Sequence, residues 1–378
     1  MGSALLIKIR CLFAFSLVAA VSWGCAADGL PEKIEIGVAL PLTGPQILYG
    51  APAWEGIQFA LEEINGSSIL GGSSIEFIRE DSRGTVDAAT KAFNKLIKED
   101  GVSVILGPGI STVAKEVFPI AQQSGVLALS PTSTAVGLSA IGDYIFRTGL
   151  NVGTLAPGAV KGTKEKLRYR SVAIMVDSTD VYSLSLDEEL RNALAENEVR
   201  ILTRETFATG DTSFADQLSR IMALKPHAVF VSCLAAEMIQ VLVNAREAGI
   251  PSTIPVVIPE LSLAEVKKAG DAAEGAISVL SWASNASTPG NQAFVENYIA
   301  RYGYEPHPWG AISYVSLLVL AEAIAETGSM DASAIKRAMI NTREVDTILG
   351  RFSFNPDGDA VYNPIVLKVR NGAFEVFK

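Results

Sequence analysis

Short apolar runs alternate with amphipathic stretches along most of the chain, and this alternation sets the expected fold. Residues 34–40 form an apolar run, after which Trp54, Ile57, Ala60, Leu61 and Ile64 recur at helical spacing, so the pattern predicts a strand and then a helix. It repeats as strand 74–80, helix 86–99, strand 102–106, helix 112–123 and strand 126–129, with Gly101 and Gly125 where helix C-caps belong. A second series runs through strand 172–176, helix 183–196, strand 200–205, helix 214–223, strand 228–232, helix 237–248 closed by Gly249, and strand 256–258. Strands alternating with helices imply parallel sheets covered on both faces and joined by right-handed crossovers. The expected fold class is therefore α/β, with two doubly wound parallel-sheet lobes. Helices over 292–302 and 309–326 would return to the first lobe, and 364–369 reads as a last strand. That division gives a first lobe of 33–151 plus 282–358, a second of 152–281 plus 359–378, and a multi-strand hinge between them.

Length fits two lobes, because 378 residues exceed the span of one core, which stops growing at roughly 250. A net charge of −10 argues against nucleic acid as a partner. At the N-terminus, Lys8 and Arg10 precede the apolar run 11–21, and Gly24, Ala26 and Ala27 close it, which reads as an export signal over residues 1–27. The run is too short for the ~20 residues of a membrane helix, and no later segment is a better candidate, so a soluble extracytoplasmic protein is expected. Cys25 follows Gly24 as the lipid-modified cysteine of a bacterial lipoprotein would, although Ser22 and Trp23 fit that pattern poorly. Cleavage after Ala27 is the alternative. Cys233 then remains alone in the apolar run 229–233, where a buried, inert thiol is expected and no internal disulfide is possible.

Ligands of open α/β sheets collect beyond the carboxyl ends of the strands. The loops there are rich in Gly, Pro and hydroxyls: Pro41-Leu42-Thr43-Gly44-Pro45, Gly107-Pro108-Gly109-Ile110-Ser111-Thr112, and Ser130-Pro131-Thr132-Ser133-Thr134. Ser111 or Thr112 would start a helix, where unpaired N–H groups and the helix dipole favour an anion such as a carboxylate. Plain capping and turn formation are the competing reading of these hydroxyls. Catalysis finds little support. The two histidines, His227 and His307, lack neighbours at metal-ligand spacing. No GxSxG, GxxxxGK[ST] or GxGxxG follows a strand. No enzyme, metal or cofactor is expected.

In order and spacing these loops resemble the type I periplasmic binding proteins, most closely the branched-chain amino-acid (Leu/Ile/Val) binding branch that feeds ABC importers. The residues that carry the resemblance are Ile36-Gly37-Val38-Ala39-Leu40-Pro41-Leu42-Thr43-Gly44-Pro45, Tyr49-Gly50, Gly56, Asp81, Val104-Ile105-Leu106-Gly107, Ser130-Pro131-Thr132-Ser133-Thr134, Phe146-Arg147-Thr148 and Pro259-Glu260. The resemblance implies that Ser111, Thr132 and Thr134 hold a ligand carboxylate. It implies that Glu260 and Tyr182 meet the ammonium, and that Tyr49, Trp309 and Leu234 wall the side-chain pocket. Two departures bear on the ligand: Leu234 stands where the amino-acid binders carry a second tyrosine, and Ser183 replaces the glycine after the first. Asp180 lies in a loop one residue longer than the family's and is a candidate second acid. The implied function is a periplasmic, monomeric protein that closes on an aliphatic L-amino acid and delivers it to ABC permease subunits. The alternatives are a non-amino carboxylate such as an aromatic acid in the same fold, or a sensory module. A receptor would normally continue into a membrane span, and the chain ends at Lys378, which favours transport.

Overall fold

A computed structural model describes residues 29–377, so the export segment and Cys25 lie outside the described residues. The first lobe runs β1 (Lys33–Leu40), α1 (Ile47–Asn65), β2 (Ser74–Asp81), α2 (Val86–Lys98), β3 (Val104–Leu106), α3 (Ser111–Ser124), β4 (Leu127–Ser130) and β5 (Ile145–Arg147). Its five strands pair in parallel in the order β2-β1-β3-β4-β5. The chain then crosses through α4 (Val152–Leu167) into β6 (Ser171–Asp177), α5 (Val181–Glu196), β7 (Arg200–Phe207), α6 (Ala215–Leu224), β8 (Ala228–Ser232), α7 (Ala235–Glu247), β9 (Val256–Pro259), α8 (Leu263–Ala269) and β10 (Ile277–Leu280). It returns as α9 (Asn291–Tyr302), α10 (Pro308–Thr327) and α11 (Ala332–Ile340), followed by a small sheet of β11 (Val345–Thr347), β12 (Gly350–Phe354) and β13 (Ala360–Val361). Finally β14 (Ile365–Arg370) and β15 (Ala373–Val376) join the second sheet, whose order is β15-β14-β10-β9-β8-β6-β7.

The α/β alternation read from the sequence is present, with one difference: β14 and β15 are antiparallel to their neighbours. β14 arrives from the other lobe without a crossover helix, so nothing turns it parallel. β15 follows through Asn371 and Gly372, both at positive φ, the conformation of a tight hairpin turn. The central strands are apolar throughout because both their faces are covered. Along β6, Val172 and Ile174 pack on the side of α5 with Leu186 and Leu190, while Ala173 and Met175 pack on the opposite side with Phe214, Leu218 and Val241.

Two close approaches explain glycines that a helix pattern alone would not favour. A Cβ on Gly56 of α1 would lie 1.9 Å from the Gly310 carbonyl oxygen of α10, so these two helices touch backbone to backbone. In α4, Gly158 and Gly162 face Pro364 and Val366, each 2.9 Å from where a Cβ would stand. α10 is the one described helix long and apolar enough to cross a membrane, yet 83% of its apolar window is buried. It is the core helix of the first lobe, packed on α1 and α11. Cys233 is buried and unpaired, and burial pushes its thiol pKa well up, which removes the thiolate that reactivity needs.

Candidate functional site

The carboxyl ends of both sheets face a cavity between the lobes. Its lining brings together Ser111, Thr132, Thr134, Glu260, Tyr182, Tyr49, Trp309 and Leu234, all eight residues singled out from the sequence. The space between the lining atoms, open mouth included, is ≈ 460 Å³.

One end is built for an anion. Ser111 is the first residue of α3, which has no side-chain cap, so its first N–H groups lack intrahelical partners. The Ser111 hydroxyl does not cap the helix; its oxygen accepts from the N–H groups of Thr134 at 3.1 Å and Ala135 at 3.2 Å. Thr132 Oγ1 donates to the Gly109 carbonyl at 2.7 Å, tying the loop after β4 to the loop after β3. Asp81 holds the third loop by accepting from the backbone N–H groups of Leu42 at 2.9 Å and Thr43 at 3.2 Å. All three hydroxyl residues are buried, and no lysine or arginine lines the cavity. Backbone N–H groups, hydroxyls and a helix dipole are what this end offers a carboxylate.

Glu260 and Tyr182 lie on the second lobe's side. Glu260 sits at φ +62°, a backbone region that costs a non-glycine residue of the order of 1 kcal/mol or more and recurs at binding sites. Its Oε1 accepts from Ser281 N at 3.2 Å and Ser281 Oγ at 2.5 Å. Its Oε2 is buried without a partner, and so is the Tyr182 hydroxyl. Burial raises the Glu260 pKa to about 7 against the two Ser281 bonds. Tyr182 is pushed well above its usual value by burial and then by the Glu260 charge. Two unsatisfied oxygens beside one cavity await a donor, since leaving them unpaired costs ~1–3 kcal/mol each.

The remaining wall is apolar. Tyr49 and Trp309 stand with ring centroids 5.9 Å apart, joined by Leu234 and by Leu48, Ile110 and Met238, which the sequence reading missed. Glu265 was also missed. It caps α8 through Ser262 and lies 3.8 Å from His307, the N-cap of α10. Burial opposes its charge, but His307 and the Ser262 bonds hold its pKa down at about 2.

Several side chains join the lobes directly. Tyr49 Oη accepts from Ala235 N at 2.9 Å, and Ser185 Oγ accepts from Val136 N at 2.9 Å. Asp180 is spoken for: its Oδ2 caps α5 through Ser183 N and Oγ, both at 2.9 Å, and its Oδ1 accepts from Thr112 Oγ1 across the cleft at 2.8 Å. It does not line the cavity, which leaves Glu260 and Glu265 as the acids there. Thr112→Val removes this bond and the one Thr112 Oγ1 accepts from Val181 N at 3.2 Å, and keeps the Asp180 cap. It is expected to weaken ligand binding by about 1 kcal/mol or more, read as faster dissociation in stopped flow; an unchanged rate would detach these bonds from closure.

Two lobes bonded to each other around a slot of this size define a solute-binding protein that encloses one small molecule. The chain belongs to the periplasmic binding protein family, whose model matches residues 33–373, and that family is one of extracytoplasmic solute receptors. It is similar to the leucine-, isoleucine-, valine-, threonine- and alanine-binding protein of Pseudomonas aeruginosa, at 26% identity over 93% of this chain and 92% of that one. Among solved structures it resembles the leucine-binding protein LivK of Thermotoga maritima, with TM-score 0.85, 27% identity, and coverage of 91% and 97% of the two chains. LivJ of Streptococcus pneumoniae, solved with isoleucine, also superposes with TM-score 0.85, at 25% identity and 91% and 98% coverage.

Proposed function

We propose that this protein captures an aliphatic, branched-chain-like L-amino acid outside the cytoplasm and presents it to the permease of an ABC importer. The observation that carries the reading is the pair of unpaired oxygens, Glu260 Oε2 and Tyr182 Oη, set in the same slot as an anion-accepting helix terminus. A zwitterion satisfies both ends at once. Its carboxylate takes the hydroxyls of Ser111 and Thr134 and the N–H group of Thr132, whose own hydroxyl is held by Gly109, and its ammonium donates to Glu260 and Tyr182. The aliphatic chain lies against Leu48, Leu234, Met238 and the Tyr49–Trp309 pair, where each buried CH₂ adds ~0.8 kcal/mol. The relatives named for leucine, isoleucine and valine support the same class of ligand.

In this reading the ligand docks on the first lobe and the second closes over it, and closure is favoured by the ligand's differential affinity for the closed form. Export through residues 1–27, a monomeric state, and either a lipid on Cys25 or cleavage after Ala27 belong to the same proposal; the intact mass of the mature protein decides between the last two. The binding test is thermal unfolding of mature protein, denatured to strip carried-over solute and then refolded. Leucine, isoleucine or valine at a hundred times Kd is expected to add ~2.7 kcal/mol. A midpoint raised only by acids without an amino group would overturn the ammonium assignment and favour an aromatic or other simple carboxylate.

A further inference from the structure

The two acids that line the cleft differ in what holds them. Glu260 and Glu265 line it, and no lysine or arginine does. Glu265 has its own partners in His307 and Ser262. Glu260 has only Ser281 on one oxygen, while the other is buried unpaired. A fully buried carboxylate with no counter-charge is costly, and a carboxylic acid in its place is not. The groups packed around Glu260 do not supply a cation. Tyr182 comes from α5 and Tyr49 from α1, each pushed well above its ordinary pKa by burial. Tyr362 follows β13, is likewise raised by burial, and donates to Thr148 O at 3.1 Å. Asp180 at the start of α5 and Glu265 on α8 are both acids.

The hydrogen-bonding character of this corner therefore depends on one proton. With Glu260 ionised, Oε2 only accepts and suits an ammonium, which only donates. With Glu260 protonated, Oε2–H donates, and it suits a carbonyl oxygen, which only accepts. Tyr182 Oη serves either case, because a phenol both donates and accepts. The rest of the slot does not distinguish the two ligands, since a 2-amino acid and the 2-oxo acid of the same carbon chain share their carboxylate and side chain.

Resting on the amino-acid reading above, we propose that the cleft is a dual site that takes a branched aliphatic 2-amino acid on ionised Glu260 and the matching 2-oxo acid on protonated Glu260. The proton balance is explicit. Where the empty site is protonated, the amino acid binds with its ammonium intact and Glu260 releases one proton to solvent. Where the empty site is ionised, the oxo acid binds with uptake of one proton. Because burial brings the Glu260 pKa to about 7, both ligands would compete near neutral pH.

The test uses the stripped, refolded mature protein, with leucine and 4-methyl-2-oxopentanoate as ligands in titration calorimetry between about pH 5.5 and 8.5. Leucine affinity is expected to rise, and oxo-acid affinity to fall, by roughly thirtyfold each as pH increases across that window. Repeating the titrations in buffers of different ionisation enthalpy should show close to one proton released with leucine at the acid end and one taken up with the oxo acid at the alkaline end. Glu260→Gln, which keeps a donor and cannot ionise, should lose leucine yet hold the oxo acid with a flat pH profile. Leucine binding with no oxo-acid binding at any pH would overturn this inference and leave the amino-acid reading standing. Failure of leucine itself at every pH would overturn both. A pH dependence that survives in the Gln variant would also overturn the inference, because it would belong to a group other than Glu260. Proton counts on the unmodified protein decide the matter if the variant does not fold.

Discussion

Arg147→Met is expected to cost about 3–5 kcal/mol of folding stability, the usual result of breaking one partner out of a buried ion pair. Arg147 is completely buried at the end of β5. Its Nε donates to Asp359 Oδ1 at 2.8 Å, and its Nη1 donates to the carbonyls of Ser133 at 3.2 Å and Ala135 at 2.5 Å. Asp359 also accepts from Ser139 Oγ at 2.7 Å and from Asn151 Nδ2 at 2.9 Å. Losing the guanidinium strands this carboxylate and frees the carbonyls on either side of Thr134, so ligand affinity should fall along with stability. Urea denaturation with and without leucine measures both effects. A loss under about 1 kcal/mol would mean that the pair does not hold the loop, whereas replacing both partners with apolar residues should recover much of the stability.

Glu260→Gln is expected to weaken leucine binding by about 2–5 kcal/mol, because an enclosed ammonium loses its counter-charge. The same change should stabilise the empty protein at alkaline pH. The folded-state pKa of Glu260, about 7, lies above the ordinary carboxylate value of 4.5, so the folded state binds the proton more tightly than the unfolded one. Stability of the unliganded protein must then fall as pH rises through that interval, by roughly 3 kcal/mol in all. A glutamine has no proton to lose and escapes that fall. Melting curves of both proteins at about pH 5 and 8 check it; parallel behaviour would mean that Glu260 is not isolated from counter-charge. Under the proposed role, Glu260 serves binding against the interest of stability, as is common at functional positions.

Elements with strong periodicity were legible in the sequence, because each buries one stripe or one run against a sheet. α4 was not. Gly153, Pro157, Gly158 and Gly162 are poor helix formers, and two of these glycines leave room for Pro364 and Val366. β5 has three residues, too few to show a pattern. At the site, helix-terminus electrostatics pointed to Ser111 or Thr112, with plain capping as the competing reading. Glu260, Tyr182, Tyr49 and Trp309 came only through resemblance, since an acid after a proline and aromatics among apolar neighbours carry no local signal. Met238, Leu48 and Ile110 were hidden for a related reason: on a helix face or beside one, a ligand wall and a core position look alike. Asp180 was misread as a possible ligand acid because its partner Thr112 is 68 residues away.

The bond between Arg147 and Asp359 spans 212 residues, and β10 finds its outer neighbour only when residues 365–370 arrive. Neither lobe can therefore be completed while the chain is still being made from its N-terminus. Contacts of such long range also form slowly. Under the proposed export through residues 1–27, this late assembly keeps the chain loose enough to thread through a translocation pore. It places the moment of folding on the far side of the membrane, once the last strands have been delivered.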